Sequence, residues 1–297
     1  MSNSTAKTTK RKPAQRRQGA AAAAAARART KRRVTSIVVG VVVLSFAFAL
    51  ILAVALGGSS SKVVTPTGAA AQAIVAQATS VPAGVTEQVG AGTAVGLPKP
   101  ISGAALTAGG LPEVLYIGAE YCPYCATERW ALVQALSRFG TFTNLGITHS
   151  SSTDIFANTP TLTFHGATYA SPSLTFVGVE TATNQPDGNG GYKLLDSPTA
   201  AQTALWSAAD PRLTIPFIDI GGRYLVTGAT YNPTVLQGKS AAEIAAALSD
   251  PTSDVAKGAI GAANAITAAI CQTTANQPST VCATPTITAL EAQLPRS

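Results

Sequence analysis

Cys122-Pro123-Tyr124-Cys125 is the segment whose residue types and spacing define a chemistry. Just before it, Glu113 to Ala119 reads as a mostly buried strand bounded by Pro112. Just after it, Cys122 to Phe139 reads as a helix. Leu132, Leu136 and Phe139 lie on one stripe, Trp130 and Val133 on the next, and Gly140 is a suitable stop. Cys122 then falls at the N-cap and Pro123 at the first helical position. The unpaired N–H groups of a helix start carry about half a positive charge, which favours a thiolate and lowers its pKa. Such a thiolate attacks a disulfide, and Cys125, one turn on, resolves the mixed disulfide. The alternatives are a zinc site or an inert bridge. Zinc usually needs a second close ligand pair, and the other two cysteines, Cys271 and Cys282, lie far downstream.

The neighbours supply further candidates. Glu120 is a proton acceptor for Cys125 if it is partly buried, and otherwise a solvated strand-end residue. Tyr121 and Tyr124 flank the nucleophile, where they either stack on a substrate peptide or only cover the sulfur. Trp130 reads as core. Glu128 and Arg129 read as a solvent face, with Arg129 able to add positive potential nearby. His149 and His165 have no cysteine or acidic partner at a meaningful spacing, and both read as strand-end residues.

The elements that must position this motif follow from periodicity and turn residues. Asn144 to Thr148 reads as the next strand. Thr161 to Phe164 and Leu174 to Val179 are two more, separated by Gly166 and Pro172, and Thr183 to Gly191 is a polar, Gly-rich loop. Ser197-Pro198 predicts a helix over Thr199 to Ala208. Pro216 opens Phe217-Ile218-Asp219-Ile220, and Gly221-Gly222 joins that run to Arg223-Tyr224-Leu225-Val226, a hairpin signal. Ser240 with Glu243 three residues on starts a helix to Leu248. Asp254 to Ile270 is a longer one. No internal repeat is visible.

Tyr116 to Ala126, with Glu128-Arg129-Trp130, resembles the thioredoxin superfamily. More narrowly, it resembles an uncharacterised prokaryotic thioredoxin-like family whose members are often membrane-anchored. The resemblance runs from about Val85 to Cys282. It implies an α/β fold of the thioredoxin-like kind, a central mixed sheet flanked by helices. It also implies a cis proline facing the active cysteines, and Ile215-Pro216 is placed to supply it, with the adjacent backbone pairing an extended substrate. The bland alternative is a trans proline starting an edge strand. About 60 residues, 150–210, separate the first half of such a fold from Pro216. They resemble in position the helical insert of periplasmic disulfide-bond enzymes, but start strand-like. Cys122-Pro123-Tyr124-Cys125 is also seen in glutaredoxins, although nothing else suggests a glutathione site. Cys271 and Cys282 read as a structural disulfide with its turn at Asn276 and Pro278; the sharper alternative is a second redox pair relaying electrons.

Charge and hydropathy place the domain. Of 21 Lys and Arg residues, eleven precede Val34, and every Asp and Glu lies at Glu87 or later. Beyond residue 33 the balance is 10 basic to 14 acidic groups, with no nucleic-acid footprint. Residues 34–56 are 23 uncharged, mostly apolar residues, long enough for a transmembrane helix behind a basic cytoplasmic tail, 1–33. A cleaved signal peptide is the alternative, since Ala53-Val54-Ala55 resembles a cleavage site. A flexible tether over 57–84, with room for a short helix near Ala69 to Ala78, then leads to a domain over 85–297. Either membrane reading puts that domain outside the cytoplasm, where disulfides persist. The expected function is a membrane-anchored thiol-disulfide oxidoreductase. Its partners are protein thiols and disulfides and a membrane redox partner; no metal and no cofactor are called for. The competing expectation is a non-catalytic binding module whose Cys122–Cys125 bridge merely staples the helix start.

Overall fold

The computed structural model describes residues 65–295. The expected tail (1–33) and membrane span (34–56) lie outside them. Among the described residues no helix is long and apolar enough to cross a membrane.

Helices α1 (Gly68–Thr79) and α2 (Ala83–Val89) come first. The short strands β1 (Lys99–Pro100) and β2 (Thr107–Ala108) precede β3 (Leu111–Gly118), which feeds helix α3 (Pro123–Leu136). Next come β4 (Thr141–Thr143), β5 (Gly146–His149), β6 (Pro160–Thr163), β7 (Thr168–Ala170), β8 (Thr175–Glu180), β9 (Ala182–Pro186) and β10 (Tyr192–Leu194). Helix α4 (Ala200–Ala209) leads to the hairpin of β11 (Phe217–Ile220) and β12 (Tyr224–Thr227). The chain closes with α5 (Ala241–Ala247), α6 (Asp254–Thr273), α7 (Ser279–Cys282) and α8 (Pro285–Glu291).

The central sheet is mixed. Its order runs β1, β12, β11, β3, with β8 on the other side of β3 and β2 paired antiparallel to the start of β3. Only β3 and β8 run parallel, in register from Glu113 with Thr175 to Gly118 with Glu180. Strand β3 is apolar on both sides because the pleat sends alternate residues to opposite faces. Val114 and Tyr116 enter the large core with α3 and α6, while Leu115 and Ile117 pack with Phe217 and Leu225 under Trp206 of α4. Three residues, 221–223, join the hairpin strands. Gly221 and Gly222 both have positive φ (66° and 69°), and Arg223 N donates back to the Ile220 carbonyl at 3.2 Å, a turn whose two central residues sit where glycine is favoured. A Cβ on Gly222 would also run into the Ala104 carbonyl.

Three expectations change. The parallel partner of β3 is β8, which falls inside the expected insertion (150–210); the segment read as the next strand forms β5 and pairs antiparallel with β6 instead. Short strand-like runs carry no label for their partner, so only tertiary packing assigns the pairing. The tether, from residue 68 onward, belongs to the folded unit: Ile74 and Ala78, one turn apart on α1, are buried, and Gln134 Nε2 of α3 donates to the Ala78 carbonyl. Helix α4 is capped by Thr199 rather than Ser197. Gln202 N donates to Thr199 Oγ1 (3.2 Å) and the Gln202 amide oxygen accepts from Thr199 N (2.8 Å).

Candidate active site

Strand β3 ends at Gly118, and after three intervening residues the chain starts α3 with Cys122 as N-cap and Pro123 in its first turn. Cys122 Sγ accepts the N–H of Cys125 at 3.2 Å, so the sulfur itself caps the helix. Both thiols are buried: Cys125 fully, while Cys122, 5 % exposed, keeps a small opening to solvent. The Ile215–Pro216 bond is cis, and the Ile215 carbonyl oxygen lies 4.0 Å from Cys122 Sγ. The tertiary fold thus brings Cys122, Cys125, Ile215 and Pro216 together.

Electrostatics separates the two thiols. The Cys122 thiol is pulled below its usual value, first by the hydrogen bond with Cys125, against burial, with help from the Cys125 N–H, the Arg129 guanidinium and the Tyr124 N–H. Cys125 is pushed well up, chiefly by burial and then by its bond to Cys122. A lowered thiol at the helix start ahead of a raised, fully enclosed one is the division of labour that exchange chemistry uses.

The flanking tyrosines engage residues that follow β5. Tyr121 stacks on Tyr192 (centroids 4.2 Å apart, planes 4° apart), whose hydroxyl bonds Ser151 Oγ at 2.7 Å. Ser151 N in turn donates to the Tyr121 carbonyl (2.8 Å). Tyr124 is exposed and meets Phe156 edge-on. Ser151, Phe156 and Tyr192 thus pack against the residues on either side of Cys122. Glu120 is half-buried at the strand end, and its N–H donates to the Ala182 carbonyl.

Glu128 and Arg129, expected on a solvent face, are both fully buried. Of the residues of α3, only Tyr124 is not buried. Trp130 Nε1 donates to the Pro160 carbonyl (3.0 Å), Thr161 Oγ1 to the Ala126 carbonyl (2.7 Å), and Tyr231 Oη to the Thr127 carbonyl (2.8 Å). These elements cover the helix face that would otherwise meet water. Glu128 accepts from Thr230 N (2.7 Å) and Thr230 Oγ1 (2.8 and 2.9 Å). Arg129 forms a forked pair with Glu180: Nε to Oε1 at 2.8 Å and Nη2 to Oε2 at 2.6 Å. The sequence signal for this pair was a charged Glu-Arg inside an apolar helix, which fits either a surface or a paired interior.

His165, read as having no acidic partner, has Nδ1 2.8 Å from Asp196 Oδ1 in a solvent-exposed pair. His149 lies against Asn184. Cys271 and Cys282 are joined, with Cα atoms 5.6 Å apart, tying the end of α6 to α7; Ala275 and Asn276 turn the chain with positive φ.

No curated protein and no solved structure matches the chain. One family profile does, over residues 99–188 and 195–272, more than half of the chain. The matched residues include Cys122, Cys125, Arg129, Glu180 and Pro216; the gap, 189–194, falls on the turn after β9 and on all of β10. The chain therefore belongs to the family described as a domain of unknown function, DUF929.

Proposed function

We propose that this protein is a membrane-anchored, extracytoplasmic thiol-disulfide oxidoreductase of thioredoxin-like fold. The observation that carries the reading is Cys122 Sγ at the start of α3, bonded by the Cys125 N–H and facing the Ile215 carbonyl beside cis Pro216. The strand pattern supports it. A parallel pair, β3 and β8, is joined to an antiparallel pair, β11 and β12, and the thiols sit where β3 gives way to α3. Placement outside the cytoplasm rests on the basic tail and the uncharged run 34–56, and agrees with the Cys271–Cys282 bridge.

In the reducing direction, the Cys122 thiolate attacks one sulfur of a substrate disulfide. The S–S bond breaks, a mixed disulfide forms, and the other substrate sulfur leaves as a thiolate. Cys125 gives up its proton and attacks Cys122 Sγ. That step releases the second substrate thiolate and leaves a Cys122–Cys125 disulfide, so two electrons have passed from the pair to the substrate. The reverse sequence oxidises a substrate dithiol. Ile215 and Pro216 offer backbone to an extended substrate, and Tyr121 and Tyr124 line its approach. A membrane redox partner returns the pair to its starting state.

The test is trapping. Cys125→Ser should accumulate mixed disulfides with protein substrates, which mass spectrometry then names, and Cys122→Ser should trap none and turn over nothing. A pair with a potential below about −300 mV, and no exchange with any disulfide, would make the bridge a structural staple and the domain a binding module.

A further inference from the structure

We propose that Arg129, held by Glu180, is a positioning residue that fixes the Cys122 loop and presents a positive charge behind its sulfur. Arg129 lies seven residues after Cys122 and four after Cys125, so all three share one stripe of the helix. Helical side chains lean toward the N-terminus, which carries the guanidinium back toward the cysteine turn. There Nη2 donates to the Ala119 carbonyl at 2.7 Å, and the same carbonyl accepts the Cys122 N–H at 3.3 Å. One acceptor thus ties the guanidinium to the backbone of the nucleophile.

Glu180 fixes the other side. It is the last residue of β8, in register with Gly118, and its carboxylate takes both the Nε and Nη2 hydrogens. It also accepts from Phe164 N (3.3 Å), so it is anchored independently of Arg129. The guanidinium sits between this carboxylate and the cysteine loop, over the Tyr116 ring at 5.7 Å. Its Nη1 has no hydrogen-bond partner, and neither does the buried Tyr116 hydroxyl. A buried ion pair with an unsatisfied donor is a poor stabiliser compared with apolar packing. Its geometry suits orientation and field instead. Arg129 also acts electrostatically on both thiols in the direction of thiolate.

The consequence for exchange rests on the redox reading above; the titration of Cys122 does not. The experiment is a pH titration of thiolate absorbance at ~240 nm in reduced full-length protein, for the parent, Glu180→Gln, Arg129→Lys and the double variant Arg129→Met/Glu180→Met. The double variant should raise the Cys122 pKa by about one pH unit, a tenfold loss of thiolate at a fixed pH below it. Glu180→Gln should move it the opposite way, because the guanidinium stays protonated and loses its counter-charge. Arg129→Lys should fall between the parent and the double variant. Loosening of the fold would shift all variants toward an ordinary thiol together. Shifts of the same sign in Glu180→Gln and the double variant, or no shift in Glu180→Gln, would overturn the proposal, even if the double variant fails to fold. Opposed shifts in a protein that exchanges no disulfide would uphold Arg129 and count against the proposed function alone.

Discussion

Replacing Glu128 by Gln should make the protein more stable above neutral pH, although it removes a charged group that accepts both the N–H and the hydroxyl of Thr230. Glu128 is fully buried, and burial pushes its carboxyl from 4.5 up to about 7, against the Thr230 N–H and hydroxyl bonds that favour ionisation. The gap of about 2.5 pH units corresponds to about 3 kcal/mol at 1.36 kcal/mol per unit. The sign follows from linkage. Between pH 4.5 and 7 the folded state holds a proton that the unfolded state has released, so stability falls as pH rises through that window. Above it, the ionised carboxylate carries the full cost. At the acid end, the protonated carboxyl and the Gln amide both offer Thr230 an acceptor and a donor, so parent and variant should start nearly level. Urea denaturation from pH 4.5 to 8.5 reads the difference between them and cancels every other titrating group. That difference should grow by about 3 kcal/mol and level off above about pH 7.5. Heating should show it as a rise in relative Tm of about 6–12 °C for a domain of this size. A difference independent of pH would mean that Glu128 is not desolvated, and the layer placed over α3 would be wrong.

Two further outcomes follow from buried groups. Asp219 is raised from 3.8 to about 6, first by burial, opposed by the Gly222 N–H and aided by nearby Glu113; Asp219→Asn should therefore stabilise by about 2–3 kcal/mol above pH 6 and by nothing below about pH 4, again by urea titration. Cys282→Ser opens the loop of sequence separation 11 and should cost about 3 kcal/mol in the chain-entropy model. Dithiothreitol should lower the parent by a similar amount and leave the variant unchanged, and equal losses in both would place the stabilisation elsewhere.

Local grammar made much of this molecule legible. The strand–Cys–Pro–helix junction, the Gly221-Gly222 hairpin, the Ser240–Glu243 capping box and the Cys271–Cys282 bridge all depend on residues within about a dozen positions of each other. Turn and cap preferences act at that range. Less legible were the long-range choices. Thr175–Glu180 and Gly146–His149 are both short and rich in β-branched residues, and nothing local says which joins β3. The alanine-rich helix α1 looked like linker because small side chains give a weak pattern, yet Ala78 is fully buried against α3.

The chain by itself determined that two cysteines would meet a helix start, because N-capping and proline's preference for the first turn are properties of adjacent residues. Only the tertiary structure decided what surrounds them. Pro216 arrives 94 positions after Cys122, Glu180 arrives 51 after Arg129, and the residues after α3 fold back over its outer face. A charged side chain reads as a surface residue until its counter-charge is delivered, and that partner comes from a strand whose pairing depends on the whole sheet.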